Sequence, residues 1–92
     1  MVKVIDFWAE WCGPCKVMSP TIEKLKAEYA DNANVTIEKI NVDAEENMTI
    51  AREAKVQSIP TLIFYKNGVE ENRMVGLKSE AAIKEAIEAL LN

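Results

Sequence analysis

The stretch Val2-Lys3-Val4-Ile5-Asp6-Phe7-Trp8 constrains the fold more than any other part of this 92-residue chain. β-Branched and aromatic residues dominate it, which predicts a strand. Both of its alternating sets are mostly apolar: Val2 and Val4 on one, Ile5 and Phe7 on the other. A strand of that kind has to be covered on both faces. The chain must therefore supply layers on either side of a sheet, which predicts an α/β architecture. Asp6 is the exception, a carboxylate in line with Val2 and Val4.

The rest of the sequence reads as the elements such a sheet needs. Cys15, Met18, Ile22, Leu25 and Tyr29 recur at helical spacing, predicting a helix from about Cys12 to Tyr29. Pro20 falls inside it and removes one backbone donor, which predicts a kink. Val35 to Val42 is a second strand. Asp43 with Glu46 resembles a capping box that opens a short helix, about Ala44 to Ala54. Thr61 to Lys66 is apolar on both faces and should be a central strand. Asn67-Gly68 is a hairpin turn leading into a more polar edge strand, Val69 to Val75. Ser79 caps a last helix whose buried stripe is Ile83, Ala86, Ile87 and Leu90. The order is β-α-β-α-β-β-α. The first βαβ unit should be parallel with a right-handed crossover, and the last two strands an antiparallel hairpin. This predicts a four-stranded mixed sheet with helices on both faces.

A chain of this length is expected to form one domain over residues 1–92, burying roughly 60–65% of its unfolded surface. Apolar residues at 49% and charged residues at 28% place it among folded rather than disordered chains. The net charge of −4 argues against nucleic acid or an anionic membrane as partner. No run of about 18 apolar residues exists to span a bilayer. Asp6 falls where a signal peptide would need an apolar run, so the expected location is cytoplasmic. Two cysteines are too few for a secreted disulfide scaffold.

Those cysteines lie in Trp11-Cys12-Gly13-Pro14-Cys15, between the end of the first strand and the start of the first helix. That is the C-terminal edge of the sheet, where open α/β sheets place their active sites. Residues three apart near a helix start share a face, with Cβ atoms about 5–6 Å apart. A disulfide wants about 4 Å, so a local adjustment closes it. Cys12 should sit among unpaired backbone N–H groups at the positive helix end, which favours a thiolate. Cys15, one turn further in and on the apolar stripe, should be buried. The expected roles follow: Cys12 exposed and attacking, Cys15 resolving. Pro14, which lacks an N–H, is tolerated in a first helical turn and stiffens the ring. Two other readings stand beside redox chemistry. A zinc site wants four ligands, and two cysteines with no histidine would require a second subunit. A structural disulfide across two residues would constrain the unfolded chain very little.

With these pieces in place, the chain resembles a thioredoxin. The similarity is carried by Asp6-Phe7-Trp8-Ala9-Glu10-Trp11-Cys12-Gly13-Pro14-Cys15-Lys16, then Pro20, Ile59-Pro60-Thr61, Asn67-Gly68 and Gly76, in family order through the whole chain. The resemblance implies a cis peptide bond before Pro60 and a client-binding role for Ile59 and Pro60, whose loop faces the cysteines. It implies that Trp11, Gly13, Pro14, Val75 and Gly76 border the same shallow apolar groove. It places Asp6 beneath Cys15 as the acceptor of that thiol's proton, and Lys39 near Asp6 as a charge that tunes it. The activity implied is reduction of protein disulfides, with no bound cofactor because the Cys12–Cys15 pair is itself the redox group. Client proteins and a thioredoxin-reductase-like recycling enzyme are the expected partners, and a monomer the expected state. A disulfide oxidase or isomerase, and a non-catalytic interaction module, remain the alternatives. One departure stands out: most members carry a further strand and helix ahead of the strand that holds Asp6. Without them Val35 to Val42 becomes a sheet edge, and the burial of Lys39 is open.

Overall fold

The computed structural model of the protein describes residues 1–92. Strand β1 (Val2–Trp8) is followed by helix α1 (Gly13–Glu28), strand β2 (Val35–Asn41), a short helix α2 (Met48–Glu53), strands β3 (Thr61–Lys66) and β4 (Val69–Val75), and helix α3 (Glu80–Leu91). The sheet order is β2-β1-β3-β4. β1 and β2 are parallel, while β1–β3 and β3–β4 are antiparallel. The mixed sheet and the inner place of β3 are as the apolar patterns require.

Each face of the sheet carries its own apolar layer. On one, Val2, Val4, Leu62 and Phe64 pack with Met18, Ile22 and Leu25 of α1 and with Ile83 and Ile87 of α3. On the other, Ile5, Phe7 and Ile63 pack with Ala51, Ala54 and Val56 from α2 and the turn after it. The layers are unequal, with eleven buried residues in the first and three in the second. Each large side chain fully buried contributes about 1.5–3 kcal/mol, so the α1/α3 face supplies most of the stability. α2 has no fully buried residue and is the least anchored helix.

The helix ends follow local chemistry. Cys12 is the N-cap of α1, and Pro14 occupies its first turn. The helix stays continuous through Pro20. The Ser79 hydroxyl accepts the Ala82 N–H at 3.2 Å to cap α3. The hairpin turns through Asn67 and Gly68 at φ of 53° and 85°, the left-handed pair a type I′ turn demands. One extra residue, Glu71, sits in β4, because the register steps from Phe64 opposite Asn72 to Tyr65 opposite Glu70.

The helix expected over Ala44 to Ala54 is shorter and broken. A 3-10 turn at Glu45–Asn47 precedes α2, and no side chain caps either piece. The capping box does not form: the N-cap position falls on Ala44, and the Asp43 carboxylate accepts the Trp11 indole N–H. The Asp43 backbone N–H is itself taken by the Asn41 side chain at 2.9 Å.

Candidate active site

β1 delivers the chain to one end of the sheet, and a tight loop turns it into α1. The Cys12 N–H bonds the Ala9 carbonyl at 3.2 Å, and Lys16 N–H bonds the Cys12 carbonyl at 3.1 Å. Cys12 and Cys15 are joined as a disulfide with Cα atoms 5.2 Å apart, within the ordinary span for such a bond. The Cys12 sulfur also accepts the Cys15 backbone N–H at 3.1 Å. This is the N-cap bond that a Ser or Asp oxygen makes elsewhere, here made by sulfur.

The two cysteines are equally buried, with exposures of 4% for Cys12 and 5% for Cys15. The expected contrast between an exposed and a buried sulfur is absent from this oxidised form. The reason is packing: both cysteines belong to a cluster with Ala9, against which Trp8, Val42 and Ile59 rest. What separates the cysteines is their place on the helix. Cys12 stands outside the first turn, facing its free N–H groups and positive end, whereas Cys15 lies within the helical run.

Ile59-Pro60 is a cis peptide bond. The Pro60 carbonyl accepts the Gly76 N–H at 2.8 Å, joining the loop before β3 to the end of β4. Trp11 is 70% exposed, and its indole N–H bonds the Asp43 carboxylate. Beside it opens a hollow of about 410 Å³ lined by Trp11, Val42, Ala51, Val56, Gln57, Ser58 and Ile59. Of the residues expected to bind clients, Trp11 and Ile59 line this hollow, while Gly13, Pro14, Pro60, Val75 and Gly76 do not. Gly13, Pro14 and Val75 are exposed, and Pro60 is buried. Val42, Ala51, Val56, Gln57 and Ser58 carried no signal in the sequence beyond that of core or loop residues.

Asp6 is 3% exposed, and its Oδ1 has no hydrogen-bond partner. Burial raises its pKa from 3.8 to about 6, with the Lys39 charge pulling it down and the Glu23 charge pushing it up. Lys39 lies opposite Asp6 in the parallel register of β1 and β2. It is half-buried even though β2 is a sheet edge. Its ammonium donates to the Ser19 hydroxyl at 3.0 Å, lies 3.5 Å from a Glu23 oxygen and sits 5.0 Å from the centre of the Trp8 ring. Ser19 and Glu23 were missed in the sequence because they sit on α1, twenty and sixteen positions before the lysine they meet.

Residues 1–89 match the family model described as Thioredoxin. Thioredoxin-2 of Saccharomyces cerevisiae is 51% identical over 84 residues, which span 91% of this chain and 75% of that protein. A thioredoxin of Mycolicibacterium smegmatis is 46% identical over 80 residues, 87% of this chain and 70% of that protein. The solved structure of oxidised mitochondrial thioredoxin 3 from Saccharomyces cerevisiae superposes with a TM-score of 0.81 at 38% identity, covering 97% of this chain and 78% of that one. A mutant thioredoxin from Halobacterium salinarum gives 0.84 at 36% identity, covering 99% and 75%. Sequence, fold and a cysteine pair bonded at the mouth of α1 agree, and the chain belongs to the thioredoxin family of thiol–disulfide oxidoreductases.

Proposed function

We propose that this oxidoreductase reduces client-protein disulfides with Cys12 as the attacking sulfur and Cys15 as the resolving one. In the reduced form the Cys12 thiolate attacks one sulfur of a client disulfide. A mixed disulfide forms and the first client sulfur leaves as a thiolate. Cys15 gives its proton to Asp6 and attacks the Cys12 sulfur, so the second client sulfur leaves. Two electrons pass to the client, and the domain is left with the Cys12–Cys15 bond. A thioredoxin-reductase-like partner then returns it to the dithiol.

One observation carries the assignment: the Cys12 sulfur takes the Cys15 N–H at the positive end of α1. Negative charge is favoured on that sulfur and has no such support on Cys15. Asp6 suits the proton step because a pKa of about 6 lets it take and release a proton near neutral pH. Lys39 tunes it. The client lies across Trp11, Gly13, Pro14, Ile59, Pro60, Val75 and Gly76, adding a short strand along the Ile59 backbone. An apolar client side chain enters the hollow beside Trp11.

Gly13-Pro14 between the cysteines resembles the reducing members of the family, which favours a reductant over an oxidase or isomerase. The reading includes a monomer that carries electrons in a reducing compartment such as the cytoplasm. No helix is long and apolar enough to cross a membrane.

The test is insulin reduction with dithiothreitol as donor. Cys12→Ser should lose the activity, and Cys15→Ser should accumulate a mixed disulfide with insulin through Cys12. Wild-type rates in Cys12→Ser, or a trapped client on Cys15, would overturn the assignment. Equilibration with glutathione reports the direction: an oxidising potential well above the glutathione poise would make the domain an oxidant.

A further inference from the structure

Arg73 and Glu70 are three apart on β4, a spacing that places side chains on opposite faces of a regular strand. The extra residue Glu71 cancels that alternation. Arg73 stands opposite Ile63 and Glu70 opposite Tyr65, and both partners belong to the apolar layer under α2. The bulge therefore aims both charged side chains at α2.

There the guanidinium makes four hydrogen bonds. Its Nε and Nη2 donate to the two Glu70 carboxylate oxygens, each at 2.9 Å. Nη2 also donates to the Ala54 carbonyl at 2.7 Å, and Nη1 to the Lys55 carbonyl at 3.2 Å. These two carbonyls lie at the C-terminal end of α2, where helices leave acceptors unpaired and where positive charge is favoured. The end itself is tightly turned: Lys55 adopts φ 59°, its N–H bonds the Arg52 carbonyl and the Val56 N–H bonds the Ala51 carbonyl. That is a Schellman ending, with lysine where glycine is usual.

Little else holds this helix. It has six residues, no side-chain cap at its start and no fully buried residue, and so short a helix cannot sustain itself in isolation. Yet Ala51 and Val56, which flank its C-terminal end, form part of the wall of the hollow beside Trp11 and Ile59.

We infer that Arg73, held by Glu70, is a positioning residue for client selection: it fixes the end of α2 and with it the Ala51–Val56 wall that receives an apolar client side chain next to the disulfide. The inference rests on the proposed use of that hollow by clients. The Arg73 side chain hydrogen-bonds only Glu70, Ala54 and Lys55, so the sulfur chemistry stays outside its reach.

The experiment compares wild type with Arg73→Met, both pre-reduced, in single-turnover reactions with excess insulin and with 2-hydroxyethyl disulfide, which is too small to need the wall. The insulin concentration giving half the limiting rate should rise roughly threefold to tenfold. The limiting rate and the rate with 2-hydroxyethyl disulfide should not change. Amide exchange over residues 48–56 should quicken by a similar factor while β1 and β3 hold their protection. Arg73→Lys, which keeps one charge but not the fork, should fall between the two. If Arg73→Met fails to fold, Glu70→Gln carries the same comparison with a smaller rise in the same direction. An unchanged half-saturating concentration, or equal slowing with both substrates, overturns the inference. Failure of the wild type to reduce insulin at all would instead overturn the proposed function.

Discussion

Replacing Asp6 with asparagine should stabilise the protein, and only above pH 4. The carboxyl titrates at 3.8 when unperturbed and at about 6 in the folded chain, chiefly because burial penalises its charged form. Between those values the native state binds the proton more tightly than the unfolded state does. Stability contributed by the neutral acid is complete below pH 3.8 and is lost as the pH rises through 6. At about 1.36 kcal/mol per pH unit, the gap between 3.8 and about 6 amounts to a penalty of about 3 kcal/mol at neutral pH. Asparagine has the shape of the protonated acid and never ionises. The Asp6→Asn variant should therefore match the wild type below pH 4, diverge through pH 5 and 6, and lead by about 3 kcal/mol at pH 7.5. Urea unfolding of both oxidised proteins between pH 3.5 and 8 measures this. With a slope of about 1–2 kcal/mol per molar for a small domain, the midpoints should differ by about 2 M at the top of the range. Two parallel stability curves, separated equally at every pH, would show that the substitution changes packing rather than titration. The same variant should resolve the mixed disulfide more slowly, because the orphaned Oδ1 no longer offers a proton acceptor.

Three further outcomes test neighbouring steps. In Lys39→Met the Asp6 carboxyl should titrate higher than in the wild type, because the lysine charge pulls its pKa down, and in Glu23→Gln it should titrate lower; carbon NMR of the carboxyl against pH reads both, and no movement would mean that solvent screens the pair. Lys55→Gly should stabilise by about 1 kcal/mol, because φ 59° strains a side chain with a Cβ and suits glycine, and a lower urea midpoint would contradict this. Ser79→Ala should cost about 1 kcal/mol through loss of the cap on α3, with no change in the rate of disulfide exchange.

The sequence and the structure agree wherever a single local rule decides the outcome. β1, β3 and β4 have their expected bounds, because alternating apolar residues, a hairpin turn and its flanking strands act over a few positions. α3 starts where Ser79 caps it. The pair of cysteines at a helix mouth was legible for the same reason, since three-residue spacing alone brings the sulfurs within reach. The misreadings arise where a distant group takes part in the local structure. Asp43 has the right spacing to Glu46 for a capping box, but an indole N–H from Trp11, 32 positions earlier, reaches its carboxylate. Neither strand propensity nor helix propensity contains that contact.

The burial of Cys12 has a different origin. Residue type and position predict where charge would be stabilised, and that prediction concerns the reduced protein. The bond to Cys15 exists only in the oxidised protein, and the low exposure of Cys12 belongs to that form. Equal burial in the oxidised form therefore carries no contradiction of unequal reactivity in the reduced form. The cap bond runs from the Cys15 backbone N–H to the Cys12 sulfur, and its donor belongs to the start of α1. On cleavage, an added negative charge on Cys12 would strengthen that bond, while Cys15 would gain no new donor from the helix. The asymmetry should thus appear on reduction as a Cys12 thiol titrating well below the ordinary value of about 8.5 beside a Cys15 thiol that does not. Thiolate absorbance of the reduced Cys12→Ser and Cys15→Ser variants separates the two, and equal titration in both would remove the basis for assigning the attack to Cys12.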